Sequence, residues 1–175
     1  MERVGAIVIV RSESEQSFAE LFAPLIQPAY RLACAMLHDA SAAEDVVQEA
    51  SLIAWRKLRK LDDRSRLRPW FLGIVANECR NARRRAWSRR VATGLPGRLA
   101  VISGEDRTVA REDMRRALMK LDHDDRLIIS LYFYLDLLVA EIAPVIGTTE
   151  AAARARLYRA IRRLRPDLAI EEALR

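Results

Sequence analysis

Apolar residues in this chain recur at i, i+3 and i+4 almost throughout, and no stretch alternates apolar with polar as a half-buried strand would. The periodicity fails once, from about Ser88 to Arg107, where Gly94, Pro96, Gly97, Ser103 and Gly104 punctuate the sequence. A chain patterned this way folds as helices, in two groups separated by a linker. The fold expected is all-α: two small helical domains, an N-terminal bundle over residues 14–88 and a C-terminal helix–turn–helix domain over 109–168, joined by a flexible linker over 89–108.

The helix limits follow from local signals. Ser17-x-x-Glu20 and Ser41-x-x-Glu44 both match a capping box. They predict a first helix from Phe18 to Leu37 and a second from Ala42 to about Lys60, with Ile7–Val10 upstream as a tail. Pro69 suits the first turn of a third helix, which buries Phe71, Ile74, Val75, Cys79, Ala82 and Ala86. In the second group Met114, Leu118 and Leu121 form one stripe, and Asp122 and Asp125 are cap-like acids before Leu127–Tyr134. A turn at Leu135–Leu138, a short helix Val139–Ile146, a stop at Gly147 and a last helix Glu150–Arg165 complete the pattern.

Charge narrows the function classes. The chain of 175 residues carries 30 Lys+Arg against 24 Asp+Glu, a net +6, and only three of the cations are lysines. Residues 1–55 are net −5, 56–98 net +11, 99–150 net −4 and 151–175 net +4. Two basic blocks separated by an acidic one fit a chain that touches a polyanion at two places, and guanidinium suits phosphate and base edges. Solvated basic faces are the alternative. The apolar run Ala6–Val10 is too short to span a bilayer, so no membrane insertion is expected, and the chain reads as cytoplasmic.

Two surfaces carry the candidate chemistry. On the last helix Ala153, Leu157, Ala160, Ile161 and Leu164 share one arc, and Arg154, Arg156, Arg159, Arg162, Arg163 and Arg165 lie outside it. Thr148 or Thr149 can cap it. Such a helix suits the major groove, or equally a solvated hairpin. On the third helix Asn77, Arg80, Asn81 and Arg84 lie on one polar face at i, i+3, i+4 and i+7. Asparagine offers donor and acceptor to a base edge, and arginine neutralises phosphate. Trp70 and Trp87 can stack on bases or pack internally, packing being the simpler role for Trp70.

These residues, in this order, resemble a bacterial extracytoplasmic-function sigma factor. Asp45-Val46-Val47-Gln48-Glu49 matches the family's DxxQE. Trp70-Phe71-Leu72-Gly73-Ile74-Val75-Ala76-Asn77 is similar to its W-L-x-x-I-A-x-N, with Asn81 and Arg84 resembling the D-x-x-R that follows. Leu121–Arg126 resembles L-P-x-x-x-R; Glu141-Ile142-Ala143 and Arg156-Leu157-Tyr158-Arg159-Ala160 resemble E-I-A and R-L-x-R-A. The resemblance implies that Asp45, Gln48 and Glu49 bind the β′ clamp helices of RNA polymerase core. It places Asn77 at a flipped-out −10 base, with Trp70, Arg80, Asn81 and Arg84 beside the strand. Thr149, Arg154, Arg156 and Arg159 would face the −35 element. It also implies contact with the β flap, promoter DNA as ligand, an anti-sigma factor as partner and no cofactor.

Departures from that pattern leave two alternatives open. Ser51 stands where the family has Phe, Asn81 replaces an acid, Pro144 interrupts a helix, and Ala151, Ala152 and Ala155 lack base-reading groups. The apolar run Leu127–Val139 is richer than a DNA-binding domain needs. A sigma-mimic that sequesters an anti-sigma factor, or a free-standing helix–turn–helix repressor, would fit the same features. Catalysis is not expected: GxxxxGK[ST], GxSxG and HExxH are missing. Cys34 and His38 share a helix face without a third ligand, reading as a packed thiol and a surface histidine, and His123 reads as solvent-facing.

Overall fold

A computed structural model describes residues 3–93 and 116–164, with side chains described over 18–88 and 116–164. Every regular element among them is a helix. Met114 and Pro166 lie outside the described residues, as does the linker beyond Thr93.

α1 runs Arg3–Leu37, so Ser17-x-x-Glu20 sits inside a helix rather than at its start, and Ile7–Val10 is helical instead of a tail. The segment upstream of Ser17 contains no proline to stop it. Pro24 and Pro28 lie within α1 at the cost of two backbone hydrogen bonds. His38 turns the chain with φ 56°, and Asp39 then caps α2 (Ala40–Lys57) by accepting from the Ala42 N–H at 3.0 Å. A carboxylate at a helix N-terminus outcompetes the Ser41 hydroxyl, which lies one residue inside α2. Two 3₁₀ turns, Leu58–Lys60 and Arg64–Arg66, lead to α3 (Leu67–Thr93). α3 enters the expected linker because no helix breaker precedes Gly94.

These three helices close on an aromatic cluster. Phe18 stacks on Phe22 at 4.0 Å, and Phe22 meets Phe71 of α3 edge-on at 5.0 Å. Trp55 of α2 meets Phe18 edge-on, also at 5.0 Å. Val46, Val47, Ala50, Ala54, Val75 and Cys79 are buried around it, as their spacing predicts. Both cysteines are free, and burial pushes the Cys79 thiol up to about 12.

The second group comprises α4 (described at 116–120), α5 (His123–Ile129), a π-turn (Ser130–Tyr134), α6 (Val139–Val145) and α7 (Glu150–Leu164). Gly147 stops the α6 segment at φ 69°, a conformation glycine adopts without strain. The apolar run divides: Leu127, Ile128, Leu131, Leu135 and Leu137 form core, while Phe133, Tyr134 and Leu138 are exposed. α6 lies against α3, where a Cβ on Gly73 would sit 3.7 Å from the Val145 Cα. Leu72 and Ala76, off the expected α3 stripe, are buried as well.

Arg126 joins the two groups. Its guanidinium donates to the carbonyl oxygens of Leu118 (3.0 Å), Met119 (3.4 Å) and Leu121 (3.0 Å) around the end of α4. Nη1 also lies 3.0 Å from His38 Nε2. A guanidinium only donates, so that ring nitrogen carries no proton. His38 is therefore buried and neutral at the junction, not a surface residue.

His123 is buried too, contrary to its acidic sequence surroundings, and neither ring nitrogen has a hydrogen-bond partner among the described residues. Burial, reinforced by Arg83, lowers its pKa to about 4. A histidine depressed by folding takes up its proton in the unfolded chain first, so it opposes folding as pH falls from about 6.5 towards 4. His123→Leu should flatten the loss of stability across that window in urea unfolding. Arg126→Ala should cost about 2–4 kcal/mol in the same measurement, and Arg126→Lys should recover little of it, because an ammonium cannot span the diverging acceptors.

Candidate functional site

α3 places its polar side along a cleft of about 580 Å³. Trp70 and Asn77 line it from α3, Lys57, Lys60 and Asp63 from the chain before it, and Pro144 and Val145 of α6 from across. Asp63 shapes the rim by accepting from the Ser65 N–H (2.9 Å) and hydroxyl (2.6 Å), bonds that hold its carboxyl below the usual range. Sequence spacing marked Trp70 and Asn77 but not Lys57, Lys60 or Arg66, which the two 3₁₀ turns fold back to the same opening. Trp70 is half-buried, so it packs with one side and lines the cleft with the other.

Asn77, Arg80, Asn81 and Arg84 share one side of α3, as their spacing requires. They are wired rather than independent. Arg84 Nη2 donates to Asn81 Oδ1 at 2.6 Å, and Asn81 Nδ2 donates to Glu78 Oε1 at 3.0 Å. Asn77 Nδ2 lies 3.4 Å from the same oxygen. Glu78 escaped notice in the sequence because it falls between two polar positions with no motif of its own; its burial singles it out.

Arg80 reaches the other domain, meeting Asp124 Oδ1 at 3.4 Å. Asp124 Oδ2 meets Arg156 of α7 at 3.3 Å. One carboxylate thus holds a candidate −10 residue and a candidate −35 residue together. Asp125, expected as a cap, is buried and accepts from Arg156 Nε at 3.2 Å and from Arg163. Asp122 is the cap, accepting from the Asp125 N–H at 2.8 Å, a bond that holds its carboxyl below the ordinary value. Arg68 of α3 donates to the Leu135 carbonyl, a further tie between the domains.

α7 is an amphipathic helix with Ala153, Leu157, Ala160 and Leu164 buried. Thr149 is exposed and caps it, its hydroxyl accepting from the Ala152 N–H at 3.3 Å. The arginines outside the apolar arc divide. Arg154 pairs with Glu150 one turn earlier at 2.6 Å, and Arg159 is exposed, whereas Arg156 and Arg163 turn back to the α5 acids.

On α2, Asp45, Gln48 and Glu49 are all exposed on one face. Beside them Phe18, Ile26, Leu52 and Trp55 line an apolar groove that Gln48 borders. Ser51 lies in its floor with its hydroxyl turned to the Val47 carbonyl at 2.7 Å, so the small side chain leaves the groove open. Among the described residues no group of three His, Cys, Asp or Glu could hold a metal, and no helix is long and apolar enough to cross a membrane.

Residues 21–89 match Sigma-70 region 2 and residues 111–164 match Sigma-70 region 4. Over 148 residues the chain is 32 % identical to the ECF RNA polymerase sigma factor SigL of Mycobacterium tuberculosis, covering 79 % of this chain and 81 % of that one. It is 29 % identical over 164 residues to the probable RNA polymerase sigma factor RfaY of Xanthomonas campestris pv. campestris, covering 88 % of this chain but 41 % of that protein. Among solved structures, the sigma factor RpoE bound to the anti-sigma factor NepR from Bartonella quintana shares the fold, with a TM-score of 0.78 at 21 % identity over 90 % of this chain and 99 % of that one. CnrH in complex with the cytosolic domain of CnrY does so with a TM-score of 0.66 at 24 % identity over 94 % and 97 %. With both regions in order, at this identity to SigL, the chain belongs to the extracytoplasmic-function sigma factors of the sigma-70 family.

Proposed function

We propose that this chain binds RNA polymerase core in the cytoplasm, directs it to promoter DNA and helps open the −10 strand, without catalysing a reaction itself. The observation that carries the reading is the α3 cleft. It gathers an exposed asparagine, an indole and three cations at one opening large enough for an unstacked base. Asn77 receives the base, Trp70 supplies a wall, and Arg80, Asn81 and Arg84 follow the strand. Holding a base out of the stack offsets part of the cost of opening the duplex.

The acidic α2 face, with Asp45, Gln48 and Glu49, docks on the β′ clamp helices. That assignment gives the first acidic block a partner other than DNA. α7 meets the −35 element through Thr149, Arg154 and Arg159, which are exposed, and through Arg156 once it leaves Asp124 and Asp125. The exposed aromatic turn Phe133–Tyr134 suits the β flap. An anti-sigma factor is the expected inhibitor, because holding the two domains together conserves contacts the free chain already makes.

Ala151 and Ala152 are exposed at the start of α7, where a base-reading helix would carry polar groups. That observation favours a sigma-mimic as the second reading. It predicts tight anti-sigma binding with no transcribing complex, whereas the main reading predicts start-site selection with core polymerase.

Reversing Asp45 and Glu49 to Lys should weaken core binding by roughly a hundredfold while leaving helicity intact, since like charges would then face the clamp. Unchanged affinity would remove the clamp assignment. Asn77→Ala with Arg80→Ala should slow open-complex formation about tenfold or more on duplex promoters and much less on a pre-melted bubble. An equal loss on both templates would mean that the pair acts elsewhere than in strand opening.

A further inference from the structure

Glu78 is the one α3 polar group on the cleft that is buried, at 7 % exposure, and it accepts from asparagines on both sides of it in sequence. Chemistry fixes the sense of these bonds. A guanidinium only donates and a carboxylate only accepts. Asn81, set between Arg84 and Glu78, must therefore present its oxygen to the arginine and its nitrogen to the carboxylate, which is the arrangement observed at 2.6 and 3.0 Å. The same rule applies to Asn77. With its nitrogen turned to Glu78 Oε1 at 3.4 Å, the carboxamide oxygen is left on the opposite side, away from the carboxylate.

We infer that Glu78 is a positioning residue that orients the Asn77 amide so that its oxygen leads towards the captured base, making an exocyclic amine the preferred group to be read. Adenine N6 or cytosine N4 satisfies that acceptor, whereas thymine offers a carbonyl oxygen at the corresponding edge and is disfavoured. Without the buried carboxylate the amide is free to turn over and to serve either kind of base. Arg84 and Asn81 act through Glu78 by holding the carboxylate in place, so the selectivity belongs to the chain of four rather than to Asn77 alone. The inference rests on the proposal that Asn77 meets a −10 base.

The test uses holoenzyme assembled from the full chain and core polymerase, selected against promoter-length DNA carrying a short randomised unpaired segment. The position read by Asn77 is the one whose preference vanishes in Asn77→Ala. In the wild type that position should favour adenine or cytosine over thymine on the order of tenfold. Glu78→Gln, nearly isosteric but able to donate, should reduce the ratio to about threefold or less, with core binding and melting temperature little changed. A wild-type preference for thymine there overturns the inference without any Glu78 variant. So does a Glu78→Gln holoenzyme that keeps the full ratio, or that binds all bases more weakly with the ratio intact, as a purely structural role would give. If Asn77→Ala leaves every position unaltered, the base-reading assignment of Asn77 itself fails, a different signature from the others.

Discussion

The short acidic start of α5 is the constraint on which the two-domain arrangement depends. Within five residues Asp122 caps the helix, Asp124 holds Arg80 and Arg156, Asp125 holds Arg156 and Arg163, and Arg126 closes off α4 and reaches His38. An unpaired carboxylate as buried as Asp125 would be costly, and α7 supplies the arginines that prevent it. The Asp122–Asp125 part of the second acidic block thus meets arginines of the chain's own α3 and α7. Asp45 and Glu49, acids of the first block, are by contrast exposed on α2.

Helix positions on the apolar side were legible because burial and periodicity agree. Phe71, Val75 and Cys79 on α3, and Ala153, Leu157 and Ala160 on α7, lie where 3.6-residue spacing puts them. Helix starts were less so. Ser17 and Ser41 both satisfy a capping pattern, yet one is overrun by a helix with no breaker upstream and the other loses to Asp39. Local signals compete, and the sequence pattern does not rank them.

Tertiary contact was the part that spacing could not supply. His38 reads as a surface residue because it ends a helix, and His123 because its neighbours are acidic. Both are buried, His38 against Arg126 of the second domain and His123 within reach of the Arg83 charge on α3. Arg156 and Arg163 were indistinguishable from Arg154 and Arg159 on a helical projection, and only the position of α5 separates the paired from the exposed. Glu78 carries no motif. Its role emerges from being buried between two amides whose orientation it settles.

The joint between the domains is strong where it is structural and weak where it is functional. Arg126 is buried, fixed by its bonds to the end of α4 within its own domain, and from there reaches across to the buried His38 Nε2. The Arg80–Asp124 pair is about two-fifths exposed on both partners, and pairs of that kind contribute about 0–1 kcal/mol. On the proposed promoter role, DNA phosphates would offer Arg80 the same chemistry at higher charge density. Arg80 can therefore leave Asp124 at small cost, whereas Arg156 is held by the buried Asp125 as well, which also keeps its hold on Arg163 and so α7 on α5. The half-exposed carboxylate of Asp124 thus makes an exchangeable tie between the domains, and the buried carboxylate of Asp125 a lasting one within the second, separated by how deeply each is buried.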